Sequence, residues 1–134
     1  MSNITEQDIA AIKKLLAESV RFGLDGEWDK FLTMYTDDTV LMSTDHPAVE
    51  GKDAARAFLA KWPRIREYST LIVDTEGSDN FACARGTFTE TVEPEPGKLL
   101  SMKGKWLGRY RKQQDGSWLC STLIWNLDEP LTTG

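Results

Sequence analysis

The sequence predicts an α+β fold in which three N-terminal helices pack on a strongly curved antiparallel sheet. Two observations carry this expectation. Up to Pro63 the apolar residues recur at helical spacing. Beyond Pro63 the chain turns to long runs rich in β-branched and aromatic residues, separated by clusters of Gly, Pro, Asp and Asn. No repeat, low-complexity stretch or linker interrupts the 134 residues, so 1–134 reads as one domain with an ordered core of about 5–130.

The first helix is announced by Thr5, with Asp8 three residues on as an imperfect capping box. Ile9, Ile12, Leu16 and Val20 then form one stripe flanked by Leu15, and Asp25-Gly26 ends it. Trp28, Phe31, Leu32 and Tyr35 stand at i, i+3, i+4 and i+7 and predict a second, short helix. Asp37-Asp38 is expected to break it, a common place for aspartate, before a short strand at Thr39-Val40-Leu41-Met42. Ser43 to Glu50 reads as a loop. Gly51-Lys52-Asp53 opens a third helix with Ala54, Ala55, Phe58, Leu59 and Trp62 as its buried face, and Pro63 stops it.

Strands are then predicted over Tyr68 to Thr75, Phe81 to Val92, Leu99 to Lys112 and Trp118 to Leu127. The turn between the middle pair is Glu93-Pro94-Glu95-Pro96-Gly97, and Asp115-Gly116 marks the last hairpin. Hairpins of such length twist with a fixed hand, so a sheet carrying helices on its concave side leaves a cone, whose interior is a natural pocket.

The charge balance excludes one class of partner. With a net charge of −5 the chain lacks the basic surface that nucleic acid or an anionic membrane requires. No apolar stretch approaches the length of a membrane span. The start, Met1 to Asp8, has neither a basic nor an apolar region of a secretory signal, and the cytoplasm is the expected compartment. Cys83 and Cys120 lack metal-ligand spacing and read as reduced core thiols. A single histidine argues against a His-rich metal centre, and no metal or other cofactor is expected. Neither a Gly-x-Ser-x-Gly elbow nor a Gly-rich phosphate loop is present.

Gly26-Glu27-Trp28-Asp29-Lys30-Phe31, Tyr35-Thr36-Asp37-Asp38-Thr39-Val40 and Pro47-Ala48-Val49-Glu50-Gly51-Lys52 follow one another in an order that resembles the nuclear transport factor 2-like superfamily, and within it the SnoaL-like and ketosteroid-isomerase-like branch. Asp115-Gly116-Ser117-Trp118 with Trp125-Asn126 adds to the likeness, which spans about Ile9 to Pro130. The resemblance implies a cone-shaped α+β barrel and a homodimer packed through the outer sheet face. It does not imply one function, because a fold hosts many. The isomerase site of the family uses a carboxylate base with a tyrosine and a protonated aspartic acid. Those positions fall on Ser43, Ser19 and near Gly108, so the set is absent, although a one-residue slip brings Asp45 to the base position.

The same alignment turns Cys83, Arg85, Thr87, Thr89 and Thr91 inward and Cys120 outward. An inward Arg85 would need a carboxylate or an acidic ligand, whereas a slip of one residue would leave it solvated. His46, beside Asp45 near the expected mouth, is suited to acid–base chemistry or is a surface loop histidine. Trp28, Tyr35, Phe58, Trp62, Trp106 and Trp125 are the candidate pocket aromatics, and Trp125 aligns with a pocket aromatic of the family. Lys103, Lys105, Arg109 and Arg111 share one strand face, read as solvated or as a salt-bridged dimer surface facing Glu90. Ala82, Ala84, Gly86 and Phe88 form an apolar face whose exposure would drive dimerisation.

The expected function is binding of a small apolar or aromatic ligand. The alternative is an isomerase, cyclase or dehydratase working by proton transfer on such a molecule, with Asp45 or His46 as base and Arg85 as electrostatic partner.

Overall fold

A capping box sets the start of the chain's longest helix. In the computed structural model, which describes residues 3–130, the Thr5 hydroxyl accepts from the Asp8 backbone N–H and the Asp8 carboxylate accepts from that of Thr5. Residues 1–2 and 131–134, the ends of the expected 1–134 domain and the start of the stretch read as no signal, lie outside the described residues. Helix α1 (Glu6–Asp25) ends on Gly26 at φ 69°, the left-handed conformation that glycine takes without strain.

Helix α2 (Trp28–Leu32) is shorter than its apolar stripe predicts. Its last turn is closed by the Thr33 hydroxyl on the Lys30 carbonyl, and the Met34 carbonyl is taken by the Cys120 N–H. Tyr35 therefore opens strand β1 (Tyr35–Met42) instead of closing a helix. Asp37 and Asp38 sit in β1 where its register shifts, exposed, and each meets a cation: Lys52 at 3.5 Å and Arg111 at 3.1 Å. They serve a bulge, not a carboxylate site. Within the expected loop, β2 (Val49–Glu50) pairs back on β1.

Helix α3 (Lys52–Ala60) buries Ala55 and Leu59; Phe58 and Trp62 are half-buried and Ala54 is exposed. Strand β3 (Arg64–Ser78) runs well beyond the predicted 68–75 because β4 (Phe81–Glu95) pairs with its full length, from Arg64 opposite Glu93 to Ser78 opposite Phe81. The next turn shrinks to Pro96-Gly97 before β5 (Lys98–Lys112), and β6 (Trp118–Leu127) spans the residues predicted.

The six strands lie in the order β2-β1-β6-β5-β4-β3, antiparallel except for β1 beside β6, in a curved sheet that does not close. The helices cover its concave face. Ile12, Leu32, Leu41 and Ala55, each at most 1% exposed, are at the centre of the core.

Strand β4 alternates strictly, and its faces are the reverse of those the resemblance implies. Ala82, Ala84, Gly86, Phe88, Glu90 and Val92 point to the helices, while Arg85, Thr87 and Thr89 point out. The cause is the apolar character of the first set, which gains by facing the core. Across the β4–β5 pair, small residues oppose large ones: Gly86 faces Trp106 and Gly104 faces Phe88. A Cβ at Gly86 would strike the Leu71 carbonyl and the Trp106 ring, so glycine is what lets the indole lie on the strand. The expected dimer-forming patch of Ala82, Ala84, Gly86 and Phe88 is thus interior wall. A bulge between Arg109 and Tyr110 likewise sets Cys120 inward, while Cys83 faces outward.

Candidate active site

The concave face, the C-terminal half of α1, α2 and the end of α3 enclose a cavity of about 90 Å³. Indole and phenol rings supply most of its wall. Trp106 stands on β5 and Trp125 opposite it on β6, Trp62 follows α3, and Trp28 opens α2. Trp62 and Trp125 meet at 79° with centroids 6.3 Å apart, forming a corner. Gly23, Trp28, Trp62 and Ile65 also border a surface depression between the end of α1 and the start of β3.

One carboxyl enters this wall. Glu90 is 8% exposed, and its Oε1 accepts a 2.7 Å hydrogen bond from Trp62 Nε1–H. Burial raises its pKa above the ordinary carboxylate value, and the indole hydrogen bond offsets only part of that. Tyr68, its cross-strand partner on β3, is pushed upward by burial and then by the Glu90 charge. Burial also holds Tyr35 and Tyr110 neutral and pushes the Cys120 thiol up to about 12, so that thiol is no nucleophile at neutral pH. Among the described residues lining the cavity there is no Lys, Arg or His. Trp106 Nε1–H is spent on Thr70 Oγ1 at 2.9 Å, which fixes that ring in place.

Of the six candidate aromatics, Trp28, Tyr35, Trp62, Trp106 and Trp125 line the cavity. Phe58 lies behind them, packed on Trp62 and Trp125. Asp45 and His46 are neighbours in an exposed loop outside the cavity. Asp45 has φ 56°, and the His46 ring packs edge-on to Phe58 while its Nδ1 lies 2.7 Å from the Pro47 carbonyl. Arg85 is on the outer face, paired with Asp74 at 2.9 Å with both side chains more than half exposed. The three candidate catalytic residues are therefore not gathered into one site. Ser19, at the family's tyrosine position, does line the cavity, its hydroxyl donating to the Leu16 carbonyl. Glu90 and Tyr68 were not singled out from sequence. The signal was the small-and-apolar alternation of β4, in which Glu90 is the one charged residue.

Among the described residues no helix is long and apolar enough to cross a membrane, and no group of three His, Cys, Asp or Glu side chains could hold a metal ion.

Helices on a curved open sheet with a lined concave face define the nuclear transport factor 2-like class, which has a cystatin-like fold. A ketosteroid isomerase-like protein from Erwinia carotovora atroseptica superposes with a TM-score of 0.82 at 22% identity, covering 94% of this chain and all of that one. A conserved protein from Planctomyces limnophilus gives 0.84 at 17%, covering 96% and 100%. A protein from Novosphingobium aromaticivorans described as nuclear transport factor 2-like gives 0.73 at 14%, covering 92% and 83%. At these identities the likeness is one of fold. Within that class the chain belongs to the SnoaL-like domain family, whose model matches residues 24–119. No protein of curated description matches it.

Proposed function

We propose that this protein binds a small apolar or aromatic molecule in the cavity of the cone. The observation that carries the reading is a wall of four tryptophans, Trp28, Trp62, Trp106 and Trp125, around a cavity in which Glu90 is the one carboxyl among the described residues. Such walls give a ligand large apolar contact with little rotamer entropy to lose. Titration with small aromatic compounds should change tryptophan fluorescence and raise the melting temperature. A panel that moves neither would refute small-molecule binding.

One observation favours a second reading, proton transfer catalysed in the same cavity. A buried carboxyl whose pKa is raised by desolvation is a candidate general acid or base, and Glu90, which lines the cavity, fits that role better than Asp45, His46 or Arg85. Turnover that survives Glu90→Gln would exclude it.

Homodimerisation through the outer sheet face remains part of the proposal, on a different basis from the β4 face. Leu71, Leu107 and Ile124 are exposed, and their cross-strand partners face outward. Sedimentation at micromolar concentration should show a dimer; monomer alone would refute it. Cys83 and Cys120 stand on opposite faces and cannot pair with each other, which suits a reducing compartment such as the cytoplasm.

A further inference from the structure

The cavity's electrostatics narrow the ligand class. Glu90 is more than nine-tenths buried, and the protein donor it meets is the neutral indole N–H of Trp62. A carboxylate accepts several hydrogen bonds and the indole supplies one, so acceptor capacity is left over on a residue that lines the cavity. No lysine, arginine or histidine lines the cavity among the described residues, and its phenols and thiol are held neutral. The charge of the site is therefore negative or zero, never positive. A buried carboxylate without a counter-ion is costly to keep ionised, and an entering cation removes that cost. Trp62 and Trp125 meet at a near right angle, and Tyr68 lies across the strand from Glu90. A corner of electron-rich rings attracts cations through their quadrupoles. An anion would meet a carboxyl and no cation, and a neutral molecule gains from the walls alone.

We infer that the cavity takes a small organic cation, an alkyl- or arylmethyl-ammonium, with Glu90 as its counter-charge and Trp62, Trp125 and Tyr68 around it. The inference rests on the proposed small-molecule binding and names the chemical class of the ligand.

Three probes of nearly equal size separate the possibilities: benzylammonium, benzyl alcohol and benzoate, each titrated calorimetrically into the native protein at neutral pH. Benzylammonium should bind about tenfold or more tighter than benzyl alcohol, from cation–ring and charge-assisted contacts together, and benzoate should not bind. Glu90→Gln, shown to be folded by its melting transition, should lower the ammonium-to-alcohol ratio several-fold, by the share of the charge-assisted contact, while the cation–ring share stays; an unchanged ratio would remove Glu90 as the counter-charge. Equal affinities in the native protein, or tighter binding of the alcohol, would overturn the cation assignment and leave small-molecule binding intact. Failure of all three to bind would overturn both.

Discussion

Replacing Glu90 by Gln keeps the side-chain length and an oxygen able to accept from Trp62 Nε1–H, and removes the ionisable group. Because burial raises the folded-state pKa of Glu90, the native protein holds a proton that the unfolded chain has already released. The wild type is therefore fully stable, as far as this residue is concerned, below the unfolded pKa of about 4.3. It loses stability as pH rises from there through the folded pKa. Across that window the loss is about 1.4 kcal/mol per pH unit. At 8% exposure little solvent screening reduces it. For a domain of this size 1 kcal/mol corresponds to about 3–5 °C in Tm, so the variant should gain about 4–7 °C over the wild type per pH unit of the window. The two proteins should melt together near pH 4 and diverge above it, with Glu90→Gln the more stable at pH 7. Melting curves by circular dichroism at half-unit steps from pH 4 to 8 measure this directly. A difference that stays constant with pH would mean that Glu90 titrates alike in the folded and unfolded chains, and would refute its burial as an ionisable cavity group.

Three further outcomes test the framework around the site. Gly86→Ala drives a Cβ into the Leu71 carbonyl and the Trp106 ring, so urea unfolding should show a loss of about 1–3 kcal/mol or more, the usual cost of overpacking. Asp8 is held down to about 2, first by the Trp118 indole and then by Thr5, so its stabilisation is present above the unfolded pKa and disappears as pH falls through about 2. Asp8→Asn should flatten the fall in Tm between pH 4 and pH 2, and an unchanged acid limb would contradict this role. Thiol titration of the native protein should modify half-buried Cys83 and spare Cys120, with both thiols found after denaturation without reductant; reaction of Cys120 in the native state would contradict its inward placement.

Local signals carried much of the fold. The Thr5–Asp8 capping box and the Gly26 stop are chemistry within a few residues, and both stand where the chain alone puts them. The strand from Trp118 to Leu127 was legible because a turn precedes it and its composition favours sheet. The aromatic residues were legible as a set, since helical spacing or strand position gives each a buried side.

What local chemistry could not decide was register and facing. Tyr35 satisfies a helical stripe, yet Cys120, distant in sequence, captures the Met34 carbonyl and draws Tyr35 into a strand. Arg64 and Glu93 look like loop residues until pairing along the whole of β3 and β4 makes them sheet. In β4 a shift of one residue exchanges every inward side chain for its neighbour, so the same twelve or so letters describe a cavity holding Arg85 or one holding Glu90. Their composition favours the second, since Ala82, Ala84, Gly86 and Phe88 belong with a core. Only the tertiary fold turns that preference into a cavity wall and brings Trp62, just after α3, within hydrogen-bond reach of Glu90. The candidate aromatics were types; the convergence of Trp28, Tyr35, Trp62, Trp106 and Trp125 with Glu90 on one cavity is a property of the curved sheet, which joins residues that no sequence window contains.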